Sequence, residues 1–228
     1  MSDAPQQEKD RVMSKAEQHA ANMERARIIA LIPFGIALNL GLGTLITALK
    51  VPLYLDAVAV TLLAGFRAGA IVGVASNLIG GVLVNPVLPW YCGTQFLLAA
   101  YTALVAKMGW LATSNREDSR LRLPKWVLII RLLVVGIGLG LVSAFASAPV
   151  SVFLFSGITG SGPSVVVAVL LKAGKSVMSA VLSTAVFLDP LDKTIALLIS
   201  IGLIRALPPS LKLAFGGGYL KKNRLEGS

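Results

Sequence analysis

Histidine and cysteine are almost absent from this sequence, and charged residues are scarce. The one histidine, His19, lies in a polar N-terminal tail, and the one cysteine is Cys92. A zinc site and a Ser-His-Asp triad both need further partners, so neither is expected, and an intrachain disulfide is excluded. A phosphate-binding loop is missing too, because Gly157 and Gly162 have the Walker spacing but Pro163 stands where the lysine belongs. We therefore expect neither an enzyme nor a bound metal or cofactor.

The shortage of charge is matched by an excess of apolar residues. Charged residues make up 14% of the 228 residues and hydrophobic residues 55%, with a mean hydropathy of +0.77. Soluble domains rarely have so few charges. Apolar segments of about the length that crosses a bilayer recur at residues 28–49, 68–84, 94–111, 126–155 and 194–207. The sequence predicts an all-α integral membrane protein.

The positive charges follow a topological pattern. The formal net charge is +10, but no aromatic residues interleave with the basic clusters, so a nucleic-acid surface is not expected. With a cytoplasmic N-terminus, most basic residues fall on the cytoplasmic side, as the positive-inside rule requires. The exceptions among the 21 Lys and Arg residues are Lys50, Lys172, Lys175 and Lys193. This bias predicts that both termini are cytoplasmic.

About six transmembrane helices satisfy this orientation. A transmembrane domain over 27–213 then lies between a polar cytoplasmic tail, 1–26, and a basic cytoplasmic tail, 214–228, whose closing LEGS is typical of a cloning scar. The first tail lacks the apolar core of a signal peptide and has a weak helical stripe that suits a surface helix. Within the outer segment 149–190, residues 164–188 are open to interpretation as a membrane-dipping helix, a helix pair or a further span. The six helices are predicted at residues 27–49, 55–66, 68–84, 94–111, 126–148 and 191–207.

Polar and aromatic residues collect at the outer ends of these helices. A polar concavity between helix ends suits a small solute. Simpler roles remain open: Asp56 and Asp189 are placed to cap helices 2 and 6, with Pro190 at the first position of helix 6. Trp90 and Tyr91 suit an interfacial belt. The candidate substrate-binding residues are Tyr54, Asp56, Asn77, Asn85, Trp90, Tyr91, Cys92, Gln95, Thr159, Lys172, Lys175 and Asp189.

Small residues at helical spacing predict close helix contacts. Glycines in GAIVG (69–73), NLIGG (77–81) and GIGLG (136–140) let backbones approach each other in lipid. ARIIA, from Ala26 to Ala30, has the same spacing at the cytoplasmic start of helix 1. A separate protein can reach it there.

The order of these features resembles the substrate-binding S components of energy-coupling factor transporters. The resemblance is carried by ARIIA, by LKVPLYLDAVAVTLLAGFRAGAIVGVASNLIGGVLVNP, and by ITGSG and DPLDK in the last third. It implies a six-helix bundle that binds a vitamin-like micronutrient at the outer face of a bacterial or archaeal cytoplasmic membrane. It also implies that Ala26 and Ala30 dock on a T component, which two ATPases drive to deliver the cargo inward.

Other functions and several cargoes remain open. A membrane sensor or assembly subunit would signal through the tail at 1–25. A self-sufficient secondary transporter is less favoured, because no inverted repeat is evident and no acidic residue is expected in the middle of a helix. Lys172 and Lys175 suit an anionic cargo, Trp90 and Tyr91 suit a flat ring, and Cys92 suits the cobalt of a cobalamin.

Overall fold

The computed structural model describes residues 29–41, 57–111 and 125–207, with scattered positions between 15 and 26 that are helical. Every regular element within these residues is helical, as the sequence predicts. A 3₁₀ turn, Leu88–Tyr91, precedes α4. The helices are α1 Ile29–Gly41, α2 Val58–Ala64, α3 Phe66–Leu83, α4 Cys92–Lys107, α5 Lys125–Phe155, α6 Pro163–Lys172 and α7 Val177–Ala206.

Two of the described helices are long and apolar enough to cross a membrane. They are α3 and the segment Trp126–Phe155 of α5. Large apolar side chains on both face outward: Val82 of α3 is 86% exposed and Phe153 of α5 is 77% exposed. A lipid environment suits such surfaces, because soluble proteins rarely leave large apolar patches in water.

The glycine motifs form close contacts between helices, as predicted. In GIGLG, an added Cβ at Gly136 would lie 2.8 Å from Thr194 Cα of α7. Gly140, one turn later, faces the backbone of α7 at Pro190. In GAIVG, an added Cβ at Gly69 would lie 2.9 Å from Thr61 Cα of α2. These glycines let α5 pack on α7, and α3 on α2, nearly backbone to backbone.

A glycine also explains why α2 and α3 meet without a loop. Gly65 has φ +89°, a left-handed conformation that residues with a Cβ rarely adopt. α2 therefore ends at Ala64 and α3 begins at Phe66. The predicted short second helix is present, although α2 as described is shorter than the expected 55–66.

The last third of the chain differs from the predicted helix 6 over 191–207. α7 has 30 residues and begins at Val177. Ser176 caps it, because its Oγ accepts a hydrogen bond from Ser179 N at 3.3 Å. Residues 164–188 therefore contain most of α6 and the first part of α7, joined by a short turn. The position of this segment relative to the membrane stays a prediction.

The predicted capping role of Asp189 is wrong. Asp189 and Pro190 both lie inside α7, well after its first turn. Proline in a helix removes one hydrogen bond and crowds the preceding turn. The bare backbone of Gly140 in α5 leaves room beside Pro190 of α7. The Asp-Pro pair therefore lies in the helix interior, although locally it has the pattern of a helix start.

Buried apolar residues form two cores. The larger core contains residues of the first five helices, α1 through α5, and of the C-terminal half of α7. It is centred on Val58, Leu98 and Leu197. The smaller core joins α5, α6 and the N-terminal half of α7, around Val167 and Val181. Leu98, Val167 and Val181 also line one cavity. The cavity therefore lies between the two cores.

Candidate functional site

The cavity has a volume of about 240 Å³ and receives side chains from most of the described elements. This volume lies just below the roughly 300–1,000 Å³ of pockets that hold drug-sized ligands. A small solute is therefore the appropriate scale of occupant. Its polar lining consists of Asn39, Ser76, Asn77, Asn85, Tyr91, Thr94, Gln95, Ser143, Ser147, Ser151, Thr159, Ser161, Ser164, Thr184, Asp189, Asp192 and Lys193.

One face of α5 supplies three of the lining hydroxyls. Ser143, Ser147 and Ser151 recur every four residues, which aligns them along one side of a helix. Pro149 lies within α5 between the last two. Pro190 lies within α7 in the same way, and Asp189, Asp192 and Lys193 beside it line the cavity. Both long helices therefore carry a proline beside their cavity-lining polar residues.

α7 carries a buried ion pair into the cavity wall. Lys193 Nζ lies 2.6 Å from Asp192 Oδ2, and the two side chains are 5% and 6% exposed. Asp189, one turn earlier, is partly buried and lines the same cavity. The expectation that no acidic residue lies in the middle of a helix is therefore wrong. It failed because helix 6 was expected to start after Asp189, which placed these residues at its outer end.

The turn between α5 and α6 adds a cluster of hydroxyls. The Thr159 backbone N–H donates to Ser164 Oγ at 3.0 Å. Thr159 Oγ1 lies 2.8 Å from Ser161 Oγ and 3.1 Å from Ser164 Oγ. Gly157 and Gly160 have φ angles of +84° and +74°, which let the chain reverse tightly. The ITGSG motif thus presents hydroxyls to the cavity from a compact turn.

Tyr91 joins the 3₁₀ turn to α5 at the cavity wall. Its OH lies 2.7 Å from Ser151 Oγ, and its ring stacks on Phe155 with centroids 6.5 Å apart. In the preceding loop, Asn85 Oδ1 accepts from Val87 N at 3.0 Å, which holds an Asx turn. These contacts fix the loop between α3 and α4 against α5.

Two buried hydroxyl groups in the cavity wall lack the hydrogen bond that three other buried hydroxyl groups make. Thr61, Thr102 and Thr184 each donate to a carbonyl one turn earlier in the same helix, at 2.7–2.8 Å. Ser76 Oγ and Thr94 Oγ1 have no hydrogen-bond partner in the described structure, although the residues are only 2% and 7% exposed. Both line the cavity. Ser200 Oγ also lacks a partner, but it lies farther along α7, away from the cavity.

The predicted site residues divide into three groups. Tyr54 and Asp56 lie outside the described residues. Trp90, Lys172 and Lys175 are exposed and do not line the cavity, and the Cys92 thiol donates instead to Val74 O at 3.7 Å. The cavity brings together Asn77, Asn85, Tyr91, Gln95, Thr159 and Asp189.

The positions of three predicted site residues bear on the candidate cargoes. Lys172 ends α6 and Lys175 lies in the turn before α7, and neither lines the cavity in which an anion would be held. Cys92 is likewise not placed to contact a cobalt in this cavity. Neither the anion hypothesis nor the cobalamin hypothesis gains support from these positions.

Few sequence signals mark the polar lining residues outside the candidate set. The four-residue spacing of Ser143, Ser147 and Ser151 is one signal that the sequence contains. Isolated hydroxyls such as Ser76 and Thr94 give no signal, because most such groups bond their own helix. The other polar lining residues outside the candidate substrate-binding set are Asn39, Ser161, Ser164, Thr184, Asp192 and Lys193.

The predicted docking residues Ala26 and Ala30 are both helical and exposed. Phe34, one turn farther along, is 64% exposed. Ala30 and Phe34 lie four apart in α1 and share one helix face, and Ala26 is a helical, exposed residue four positions before Ala30. These three exposed residues are named here the α1 strip. Among the described residues, no three His, Cys, Asp or Glu side chains converge in a way that would hold a metal ion.

Comparison with known protein families, with curated proteins and with solved structures finds no match for this chain.

Proposed function

We propose that the protein is the substrate-binding S component of an energy-coupling factor transporter. In this proposal it binds a small micronutrient in the cavity and passes it inward with a T component and two ATPases. The supporting observation is the convergence of amides, hydroxyls and charges from separate helices on one cavity of about 240 Å³. Most solute sites in proteins are of this kind: concave, mainly apolar, and with a few placed polar groups.

The proposed topology has six crossings with both termini in the cytoplasm of a bacterial or archaeal cell. α1 to α5 and the C-terminal part of α7 form the crossings. α6 and the first part of α7 then lie on the outer side, above the cavity. The distribution of basic residues supports this arrangement, as does the length and apolarity of α3 and α5.

The proposed docking surface for the T component is the α1 strip, Ala26, Ala30 and Phe34. Its residues are exposed and lie outside the cavity lining. Small residues allow a partner helix to approach closely. Cargo binding and docking would therefore use separate surfaces of the same chain.

The test replaces both alanines, Ala26→Trp and Ala30→Trp, in cells that carry the complete transport module. We expect uptake to fall to background, because bulky side chains hold the partner helix away. Binding by the purified protein should be unchanged. Ala173→Trp, at the exposed turn after α6, is the control. Normal uptake by the double variant would exclude the docking role.

A secondary transporter is the second candidate, and one observation favours it. The buried Asp192–Lys193 pair at the cavity is the kind of intramembrane charge that can respond to a proton or an ion. Purified protein alone in liposomes distinguishes the two candidates. Accumulation driven by a pH or sodium gradient supports the secondary transporter. Accumulation that needs the T component, the ATPases and ATP supports the S component.

A further inference from the structure

The contact between α3 and α4 brings two hydroxyl side chains to the cavity. Gly73 and Ser76 lie three residues apart and share one face of α3. A Cβ added to Gly73 would lie 3.1 Å from Gln95 Cβ of α4, so this face packs on the start of α4. Thr94 lies in the first turn of α4, beside Gln95. Both Ser76 and Thr94 line the cavity.

Both hydroxyls are buried without a hydrogen-bond partner. Ser76 is 2% exposed and Thr94 is 7% exposed, and their oxygens have no partner in the part of the chain that the structure describes. Their place in the cavity wall does not explain this, because Thr184 also lines the cavity and donates to Ala180 O at 2.7 Å. A buried hydroxyl without a partner destabilises the protein. The two hydroxyls are therefore better explained by a solute that bonds them than by folding.

The bond that each hydroxyl lacks is a donated one. Thr61, Thr102 and Thr184 are also buried, and each donates its hydroxyl hydrogen to a carbonyl oxygen of its own helix. A hydroxyl has one hydrogen to donate, and burial away from water leaves that hydrogen in need of an acceptor. A solute that satisfies Ser76 and Thr94 therefore brings an acceptor atom, such as a carbonyl oxygen or a ring nitrogen.

The composition of this wall favours an uncharged acceptor. The lining residues contributed by α3 and α4 are Ser76, Asn77, Thr94, Gln95 and Leu98. All three charged residues of the described lining belong to α7 instead. A carboxylate held between α3 and α4 would lose its hydration with no cationic side chain of that wall to replace it. Burying an unpaired charge costs far more than burying a carbonyl that accepts hydrogen bonds.

We propose that Ser76 and Thr94 form a hydrogen-bonding subsite for an uncharged acceptor group of the cargo. The cargo is then a small organic solute with a carbonyl or ring-nitrogen acceptor, and its apolar part contacts lining residues such as Leu98 and Val181. This assignment rests on the proposed solute-binding function and specifies its substrate class. A solute without the acceptor leaves two buried hydroxyls unbonded, so the subsite also selects against such solutes.

The experiment measures the melting temperature of the purified full chain with matched compounds at neutral pH. Benzene and cyclohexane rings each carry a carboxamide, a carboxylate, an aminomethyl or an isopropyl group. We expect the carboxamides to stabilise most, because only they present an uncharged carbonyl. Equal or greater stabilisation by the carboxylates, the aminomethyl compounds or the isopropyl compounds would overturn the subsite and leave solute binding in place.

Variants then test the two hydroxyls with the carboxamide that stabilises most. Ser76→Ala and Thr94→Val each remove one donor, and we expect the dissociation constant to rise about three- to tenfold in each. The double variant should bind the carboxamide no better than it binds the matching isopropyl compound. Thr102→Val is the control, because it removes a buried hydroxyl of α4 outside the cavity lining and should leave affinity unchanged. Wild-type affinity in either single variant would overturn the proposal.

The same variants are also melted without added compound, after any retained molecule has been removed. Ser76→Ala and Thr94→Val should leave the melting temperature unchanged or raise it, since each removes an unbonded buried hydroxyl. Thr102→Val should lower it, because the bond to Leu98 O is lost. Equal losses in all three variants would mean that Ser76 and Thr94 bond an ordered water or their own helix. That result would also overturn the subsite.

Native mass spectrometry of the protein purified from its membrane separates the subsite from the solute-binding function. We expect a retained small molecule with an uncharged carbonyl or ring-nitrogen acceptor. Ser76→Ala and Thr94→Val should reduce the retained fraction, and Thr102→Val should not. A retained molecule without such an acceptor would overturn the subsite alone. No retained molecule, together with no stabilisation by any of the compounds, would count against both the subsite and the solute-binding role.

Discussion

Pro190 of α7 packs against the bare backbone of Gly140 in α5. A Cβ added to Gly140 would lie 2.7 Å from the carbonyl carbon of Asp189, closer than real contacts allow. The contact therefore sets the separation of α5 and α7 beside the cavity.

Gly140→Ala should destabilise the protein by about 1–3 kcal/mol, since overpacking at this contact forces the two backbones apart. Thermal unfolding in one detergent gives the measurement. Gly202→Ala is the matched control, because Gly202 lies in α7 with no atom within 4 Å of an added Cβ. That change should be neutral or stabilising by up to about 1 kcal/mol, because alanine favours a helix. Equal stability of the two variants would contradict the close contact.

The Asp192–Lys193 pair should behave as a unit. Removing one partner, by Asp192→Asn or Lys193→Met, should cost about 3–5 kcal/mol, because a buried charge then loses its ion-pair partner. The double variant should cost less than the sum of the two single changes. A double-mutant cycle on unfolding free energies measures this coupling. Additive costs would show that the two charges do not stabilise each other.

Tyr91→Phe should lower stability by about 0.5–1.5 kcal/mol, since it removes the hydrogen bond to Ser151 and keeps the ring. Ser151→Ala should have a similar effect, and the double variant should be little worse than either. Trp90→Phe is the control on the neighbouring residue, because Trp90 is 59% exposed and does not line the cavity. It should change neither stability nor solute affinity. A marked loss of affinity in Trp90→Phe would extend the site beyond the cavity.

The proposed topology predicts the accessibility of two engineered cysteines. In a Cys92→Ala background, Ser114→Cys and Ser210→Cys should both resist an impermeant thiol reagent in intact cells. Both positions lie outside the described residues, in segments predicted to be cytoplasmic. Labelling of the cysteine at 210 alone would mean that α6 and α7 cross the membrane separately, which adds a span and moves the C-terminus outside.

The helical class and the helix contacts could be predicted from local patterns. Apolar segments gave the helices, and Gly69, Gly136 and Gly140 gave the close contacts, because a backbone approach needs a missing side chain wherever the partner lies. Asn77, Asn85 and Gln95 could be predicted as candidate site residues, because few roles other than polar contacts are expected of amides in or beside apolar helices.

The charged wall could not be predicted in the same way. Asp189 followed by Pro190 has the local pattern of a helix start, and only the packing against Gly140, some 50 residues earlier, places both inside α7. Lys172 and Lys175 were candidates that do not line the cavity. Lys172 ends α6 and Lys175 lies in the turn before α7, and which side of that turn faces the cavity depends on α7.

α7 also has a consequence for the membrane around it. Its 30 residues correspond to about 45 Å at 1.5 Å per residue, while the hydrocarbon core is only about 30 Å thick. In the proposed topology the C-terminal part of α7 crosses the membrane and the first part extends beyond the lipid tails, and a change in bilayer thickness would cost a fraction of a kcal/mol per ångström of mismatch. Under that topology, bilayer thickness would set the depth of the Asp192–Lys193 pair. Lipids of different chain length should therefore shift the affinity of the site without any change to the protein.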